Sequence, residues 1–504
     1  MKNLINKFLL AALAVCVVAL APSCESNNDI NGGNEGDAIT LTLTPSKLNI
    51  PAEGSWESVV VTTNAESWDF VNAASWVEVE RNADGVVIFA EANNTNSNRK
   101  GDIVITAVLG NATKSASIKL EQVAVGGTSS GGELDFECPV FESLMLEAYD
   151  TNGDGKISEA EAARVTEISV AYTESDAENR DHITSLRGIK MFKNLQYLEC
   201  ENNLIRTLDV SGMEKLELID CFYNEMTSLD VSNCPSLKWV YCYSNNLTKL
   251  HFNGSNNIMF LQAYKNNLTS LDVSGMPELV YFDVLLNDLR EVNFSNCPKL
   301  QVAAVGDNNL ISLDLSGLPN LYTLGCYDNN IASLDLSGLP KLNMLECYGN
   351  NITKLDLSAN TVLASVTCQN NLISELNIAN CPSLRVINCS NNRLEGTFDL
   401  NKFSELTRIS CGGNNFSKIE VSACTKVTDL SCENTSITEL NVAPLTALES
   451  LIANDCLLTT MDCSNNRALK TLYLQGNPLT SLILANGQSI VDLKIDNYDV
   501  IEYK

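Results

Sequence analysis

Residues 195–215 read LQYLECENNLIRTLDVSGMEK, residues 216–236 read LELIDCFYNEMTSLDVSNCPS, and residues 237–257 read LKWVYCYSNNLTKLHFNGSNN. Laid over one another, they share Leu195, Leu216 and Leu237, then Cys200, Cys221 and Cys242, then Asn203, Asn224 and Asn245, a spacing of 21 residues. With Cys200 as register mark, the series runs on through Ala263, Val284, Val305, Cys326, Cys347, Cys368 and Cys389. One inserted residue near Glu395–Phe398 moves the register, and the marks resume at Cys411, Cys432, Ala453, Leu474 and Ile495. The asparagine three places after the mark recurs to Asn392 and Asn414, is interrupted at Thr435 and Cys456, and returns at Asn477. A unit this short cannot bury its own leucines, so successive units must stack into one continuous core.

The consensus, L-x-x-L-x-C-x-x-N-x-L-x-x-L-D-V-S-x-x-P-x, resembles the leucine-rich repeat in its short bacterial form. The resemblance covers residues 195–504 and implies a solenoid of about fifteen turns with short parallel strands. Leu195, Leu198 and Cys200 would point inward, and the asparagine would turn into the bend to satisfy buried backbone groups. Segments such as Leu208-Asp209-Val210-Ser211 should form a second extended stretch on the opposite side. The recurrent Asp209, Asp230, Asp272, Asp314, Asp335 and Asp356 then read as a corner feature, not a catalytic set. Nine of the 18 cysteines hold the inward mark, and Cys234, Cys297, Cys381 and Cys424 share the place thirteen residues later. Parallel stacked cysteines have poor disulfide geometry, so they are expected to be small reduced hydrophobes.

On such a repeat the residues flanking the inward positions face the concave surface. Here they include Phe222, Trp239, Tyr241, Tyr243, Phe260, Tyr264, Tyr281, Tyr327 and Tyr348, with Tyr197 and Tyr223 beside them. Later turns carry Ser365, Thr367, Gln369, Asn388, Ser390, Ser410 and Gly412 instead. Exposed aromatics are either binding anchors or cross-strand packing. Their restriction to one half favours a ligand site, for a host or neighbouring-cell protein or for a glycan. At a strand spacing of about 4.8 Å, each column would read as a continuous aromatic strip open to sugar stacking or protein anchors. Glu199, Glu201, Asp220 and Asp283 border it. A remote reading is a glycosidase using Glu199 and Asp220. No acid shows a tuning environment at this level, so the expectation is a binding protein and not an enzyme.

Upstream, residues 150–161 read DTNGDGKISEAE and resemble an EF-hand loop. The resemblance implies one calcium ion held by Asp150, Asn152, Asp154, the Lys156 carbonyl, Ser158 through water, and Glu161. Phe141, Leu144, Met145, Ala148 and Tyr149 fall on one stripe of a preceding helix. Residues 138–194 therefore read as an N-terminal cap of the solenoid, with Val165-x-x-Ile168-x-Val170 as a first repeat-like strand.

Residues 38–123 alternate like strands in six stretches, 39–43, 58–63, 76–80, 86–90, 102–106 and 116–121, which predicts an all-β sandwich. Thr44-Pro45-Ser46, Ser75-Trp76-Val77 and Asn98-Arg99-Lys100-Gly101-Asp102 resemble a BACON domain, an immunoglobulin-like sandwich of surface lipoproteins and glycan-degrading enzymes. Trp56, Trp68 and Trp76 could stack on sugar, although a spacer role is favoured. Residues 124–137 read as a linker.

The chain opens with Lys2 and Lys7, then an apolar run from Phe8 to Leu20, then Ala21-Pro22-Ser23-Cys24. The run is too short to span a bilayer, and the small residues before Cys24 resemble a lipoprotein processing site. Residues 1–23 would be removed, Cys24 lipidated, and residues 24–37 left as a tether whose acidic start resembles an outer-surface sorting signal. The expected location is the outer membrane, lipid-anchored and facing outward. With 62 acidic against 33 basic residues the net charge is −29, which argues against nucleic acid as a partner. His182 and His251 are the only histidines, too few for zinc hydrolase or triad chemistry.

Overall fold

A computed structural model describes residues 39–504 apart from 51–54, 82–84, 92, 94, 96, 111, 123–135 and 173–181. The leader, Cys24 and the tether lie outside the described residues. No described helix is long and apolar enough to cross a membrane.

The N-terminal region is built from β1 (Leu41–Thr44), β2 (Lys47–Ile50), β3 (Ser55–Thr63), β4 (Ser67–Asn72), β5 (Val77–Arg81), β6 (Gly85–Ala90), β7 (Arg99–Leu109) and β8 (Ala112–Gln122). They form two four-stranded sheets, β1-β3-β6-β5 and β2-β8-β7-β4. Leu43, Val59, Val86 and Ile88 of the first sheet meet Leu48, Ile103, Ile105 and Ile118 of the second in one core. The six-strand reading lacked β2 and β4, which are short or half polar. Trp68 and Trp76 rest on this core with a guanidinium over each ring, Arg81 at 3.9 Å and Arg99 at 4.5 Å. The side chain of Trp56 lies outside the described residues.

The C-terminal region is a parallel solenoid. Sixteen three-residue strands, from Glu167–Ser169 to Asp492–Lys494, pair in chain order into one long sheet. The register is fixed turn by turn: Tyr197 opposite Leu218, Leu218 opposite Trp239, Trp239 opposite Phe260. The middle residue of each strand, such as Leu198, Ile219, Val240 and Leu261, is buried, and its two neighbours face outward. The opposite side carries only short separate pairings, such as Thr207–Asp209 with Ser228–Asp230 and Lys249–His251. The inserted residue appears as a register shift where Glu395–Asp399 pairs with Asn415–Glu420.

The asparagine ladder does what its position demands. Asn266 Oδ1 accepts from the Leu247 N–H at 2.9 Å, and its Nδ2 donates to the carbonyls of Cys242, Ala263 and Tyr264 at 3.1, 3.0 and 3.4 Å. Each asparagine thus ties two turns together inside the core, where unpaired backbone groups would be costly. At the interruption, Thr435 Oγ1 and Cys456 Sγ donate instead to the Cys432 carbonyl. The Asp column makes corners: Asp209, Asp272 and Asp314 each accept from the N–H two residues on, at 2.9 Å.

All 16 cysteines among the described residues are free and buried. Those at the mark behave as hydrophobes. Those thirteen places later do more, because Cys234, Cys297 and Cys424 Sγ donate to the carbonyls of Val210, Val273 and Leu400 at 3.2 Å. At the same place Ser255, Asn360 and Asn466 make the equivalent bond.

The solenoid begins on α1 (Pro139–Tyr149) and the four-residue α2 (Glu159–Ala162). Phe141 and Met145 enter the core with Leu144 and Tyr149 at its edge. Ala148, expected on that stripe, is exposed, and Leu146 packs in its place.

Candidate functional site

The long sheet presents its outward residues in columns one strand apart. Three places before the mark stand Tyr197, Leu218, Trp239, Phe260 and Tyr281; one before stand Glu199, Asp220, Tyr241, Gln262 and Asp283. One place after it stand Glu201, Phe222, Tyr243, Tyr264 and Leu285. The aromatics of these columns are half-buried, their inner faces covered by the sheet.

Their geometry differs from an open strip. Phe222 and Tyr243 stack at 4.4 Å and 9°, and Tyr243 and Tyr264 at 4.3 Å and 8°. Tyr223 stands edge-on to both Phe222 and Tyr243, at 5.5 and 5.9 Å. Phe260 and Tyr281 stack more loosely at 6.1 Å. The ring faces inside the stack are therefore covered by one another, and the outer face of Phe222 is left at its end. Tyr327 and Tyr348 form a separate stack at 4.7 Å, and the Tyr327 ring lies over Gly306, where a Cβ would come within 2.7 Å of it. The nine expected ligand residues thus fall into two patches, seven on turns two to five and two on turns seven and eight. Tyr473, near the far end, is an aromatic that the sequence reading passed over; Lys494 Nζ sits 3.9 Å from its ring centre.

The acidic border is tuned, against the expectation from sequence. Burial first, then the carboxylates of Glu201 and Glu199, push Asp220 up to about 8. Burial pushes Asp283 up to about 6, and burial followed by Glu199 raises Glu201. Glu201 Oε2 and Asp220 Oδ1 are buried with no hydrogen-bond partner. Sequence alone shows no tuning environment for these acids; their burial on the folded sheet and the gathering of Glu199, Glu201 and Asp220 on adjacent turns supply one. Burial, then Asp220, moves Tyr241 up to about 12.

A fourth column, two places after the mark, has left-handed backbone. Asn202, Asp307, Asp328, Gly349, Asn370, Asn391, Gly413, Asn434, Asp455 and Gly476 all have φ between 47° and 71°. These are the residue types that tolerate this conformation. Between them, on turns two to five, stand Tyr223, Ser244, Lys265 and Leu286, at φ of 50–55°. Each carries a side chain that costs about 1 kcal/mol there. Tyr223 and Leu286 are 49% and 45% exposed, so core packing does not account for them.

The loop at 150–161 has oxygen donors drawn together by its own backbone. Asp150 accepts from the N–H groups of Gly153 and Gly155 at 2.7 and 2.8 Å; Asn152 accepts from Asp154, and Asp154 from Lys156. Glu161 accepts from Thr151 and Ser158 at 2.7–2.9 Å, closing a capping box on α2. Those bonds, led by the Ser158 N–H, hold its carboxyl down at about 2. Among the described residues no three His, Cys, Asp or Glu side chains converge as a metal cluster. The oxygen-only donor set fits calcium chemistry. Glu161 would exchange its present partners for the ion.

Among solved structures, the chain is similar to the functional domain of InlJ from Listeria monocytogenes, described as including a cysteine ladder. Identity is 25%, covering 65% of this chain and 76% of that one, with a TM-score of 0.53. It is also similar to YopM, a leucine-rich effector protein from Yersinia pestis, at 23% identity over 60% of this chain and 83% of that one, TM-score 0.50. The solenoid has a leucine-rich-repeat fold. No protein-family model and no curated protein matches the chain.

Proposed function

We propose that this chain is a recognition protein, not an enzyme, that binds a protein partner through the long sheet of turns two to five, on a surface lipoprotein anchored at Cys24. The observation that carries the reading is the patch itself. Phe222, Trp239, Tyr243, Phe260, Tyr264 and Tyr281 occupy two outward columns and stay partly exposed among the described residues, and beyond Tyr348 the same two columns carry no aromatic side chain. The leucine-rich-repeat fold supports it, since such solenoids offer extended binding surfaces. Glycan capture by stacking is less favoured. The ring faces of Phe222, Tyr243 and Tyr264 meet each other, and Trp68 and Trp76 of the sandwich are capped by arginines. A glycosidase pair at Glu199 and Asp220 has a raised acid in its favour. However, Glu199 and Asp220 stand on the outward face of a regular sheet, where Asp220 is raised by burial and by both neighbouring glutamates, and a raised acid alone does not make a matched catalytic pair. Residues 25–504 probed against parallel arrays of proteins and glycans test the reading; a glycan-only response would overturn it.

A second reading concerns the cap. The 150–161 loop supports one structural calcium ion, with Asp150, Asn152, Asp154, Lys156, Ser158 and Glu161 as its ligands. What favours it is the hydrogen-bonded turn around Asp150, which already gathers side-chain oxygens about Gly155. When bound, the ion would cross-link α1 to α2.

A further inference from the structure

The left-handed column raises a question that folding does not answer. Ten turns fill it with Asn, Asp or Gly; the four consecutive exceptions are the turns that carry the aromatic patch. Nothing in the core requires Tyr223 or Leu286, because both project into solvent. Strained, exposed side chains kept side by side at one place are a mark of function. Tyr223 also joins the loop edge physically to the sheet, since its ring packs on the edges of Phe222 and Tyr243.

We propose that the recognition surface runs off the sheet onto the loop edge formed by Tyr223, Ser244, Lys265 and Leu286, and that its occupant is an extended polypeptide segment bearing arginine. The proposal rests on the protein-binding reading above and specifies its extent and partner. Charge complementarity selects the occupant. Glu199, Glu201, Asp220 and Asp283 border the patch, and Lys265 is the one base within its columns. Glu201 Oε2 and Asp220 Oδ1 lack hydrogen-bond donors, and a guanidinium supplies several in a fixed fork. The end of the stack beside Glu201 is the outer face of Phe222, a flat surface on which that same group can lie. A segment seated there and running toward turn five would rest apolar side chains on Tyr223 and Leu286.

The test uses calorimetry with a capped nine-residue peptide alternating arginine and valine, and its glutamate–valine counterpart. Wild type should bind the arginine peptide and not the other. Tyr223→Asn with Leu286→Asn leaves the charge unchanged and installs the residue found at four other turns. It should keep or raise the melting temperature and weaken the peptide at least tenfold. Trp239→Ala with Tyr243→Ala serves as the sheet variant. If the sheet variant loses the peptide and the loop variant binds within twofold of wild type, the loop-edge inference falls and the sheet reading stands. If both bind like wild type, both fall. If wild type does not bind the arginine peptide, the assignment of the occupant is overturned.

Discussion

Replacing Asp220 by Asn isolates the buried acid at the head of the patch. Its folded value of about 8 stands well above the roughly 3.9 of an unfolded aspartate. The folded state therefore holds the proton more tightly, and its stability falls as pH rises from about 4 to about 8, then levels off. The window from pH 5 to pH 8 spans about three of those roughly four units, which amounts to about 4 kcal/mol at 1.36 kcal/mol per unit. Asp220 is part-exposed, and Glu201 shares the charge, so about 2–3 kcal/mol is the working figure. Asn matches the protonated carboxyl in shape and does not titrate. Repeat arrays open locally, so the assay is hydrogen exchange of the amides around Cys200, Cys221 and Cys242, corrected for intrinsic rates. Variant and wild type should open with equal free energy at pH 5, and the variant should be harder to open by about 2–3 kcal/mol at pH 8.5. An identical difference at both values would refute the buried-acid reasoning.

Asn266→Ala should destabilise turns three to four by about 3 kcal/mol, because it orphans the Leu247 N–H and removes the donor from three carbonyls; local hydrogen exchange reads it. Calcium titration of wild type should show one site. Asp150→Ala with Glu161→Gln should abolish it, and no uptake by wild type at millimolar calcium would remove the cap reading. Cys24→Ala should move the protein from the membrane to the soluble fraction on cell fractionation, and a variant that stays wholly membrane-bound would exclude the lipid anchor.

The solenoid was legible because its physics is periodic. The 21-residue recurrence of leucine, cysteine and asparagine names the inward positions, the ladder and the corner aspartates without any three-dimensional information. Residues outside that period were less readable. The strand Lys47–Ile50 is too short to show alternation, and Ser67–Asn72 carries Asp69 and exposed Val71. The aromatic columns could be placed from register, but not the rotamers that turn ring against ring. The raised acid at Asp220 arises first from its burial in the folded sheet and then from neighbours 19 and 21 residues away in sequence, Glu201 and Glu199. The left-handed column was available as an Asn, Asp and Gly preference one place before the ladder asparagine, and its four exceptions were the overlooked sign.

Recognition by turns two to five is tested most directly by displaying three forms of residues 25–504 on one protein array: wild type, Trp239→Ala with Tyr243→Ala, and Ser390→Ala with Ser410→Ala. All three should share one circular dichroism spectrum. The expected result is that partners bound by wild type are kept by the serine variant and weakened by about 2–4 kcal/mol in the aromatic one. Partners held as tightly by the aromatic variant as by wild type would contradict it.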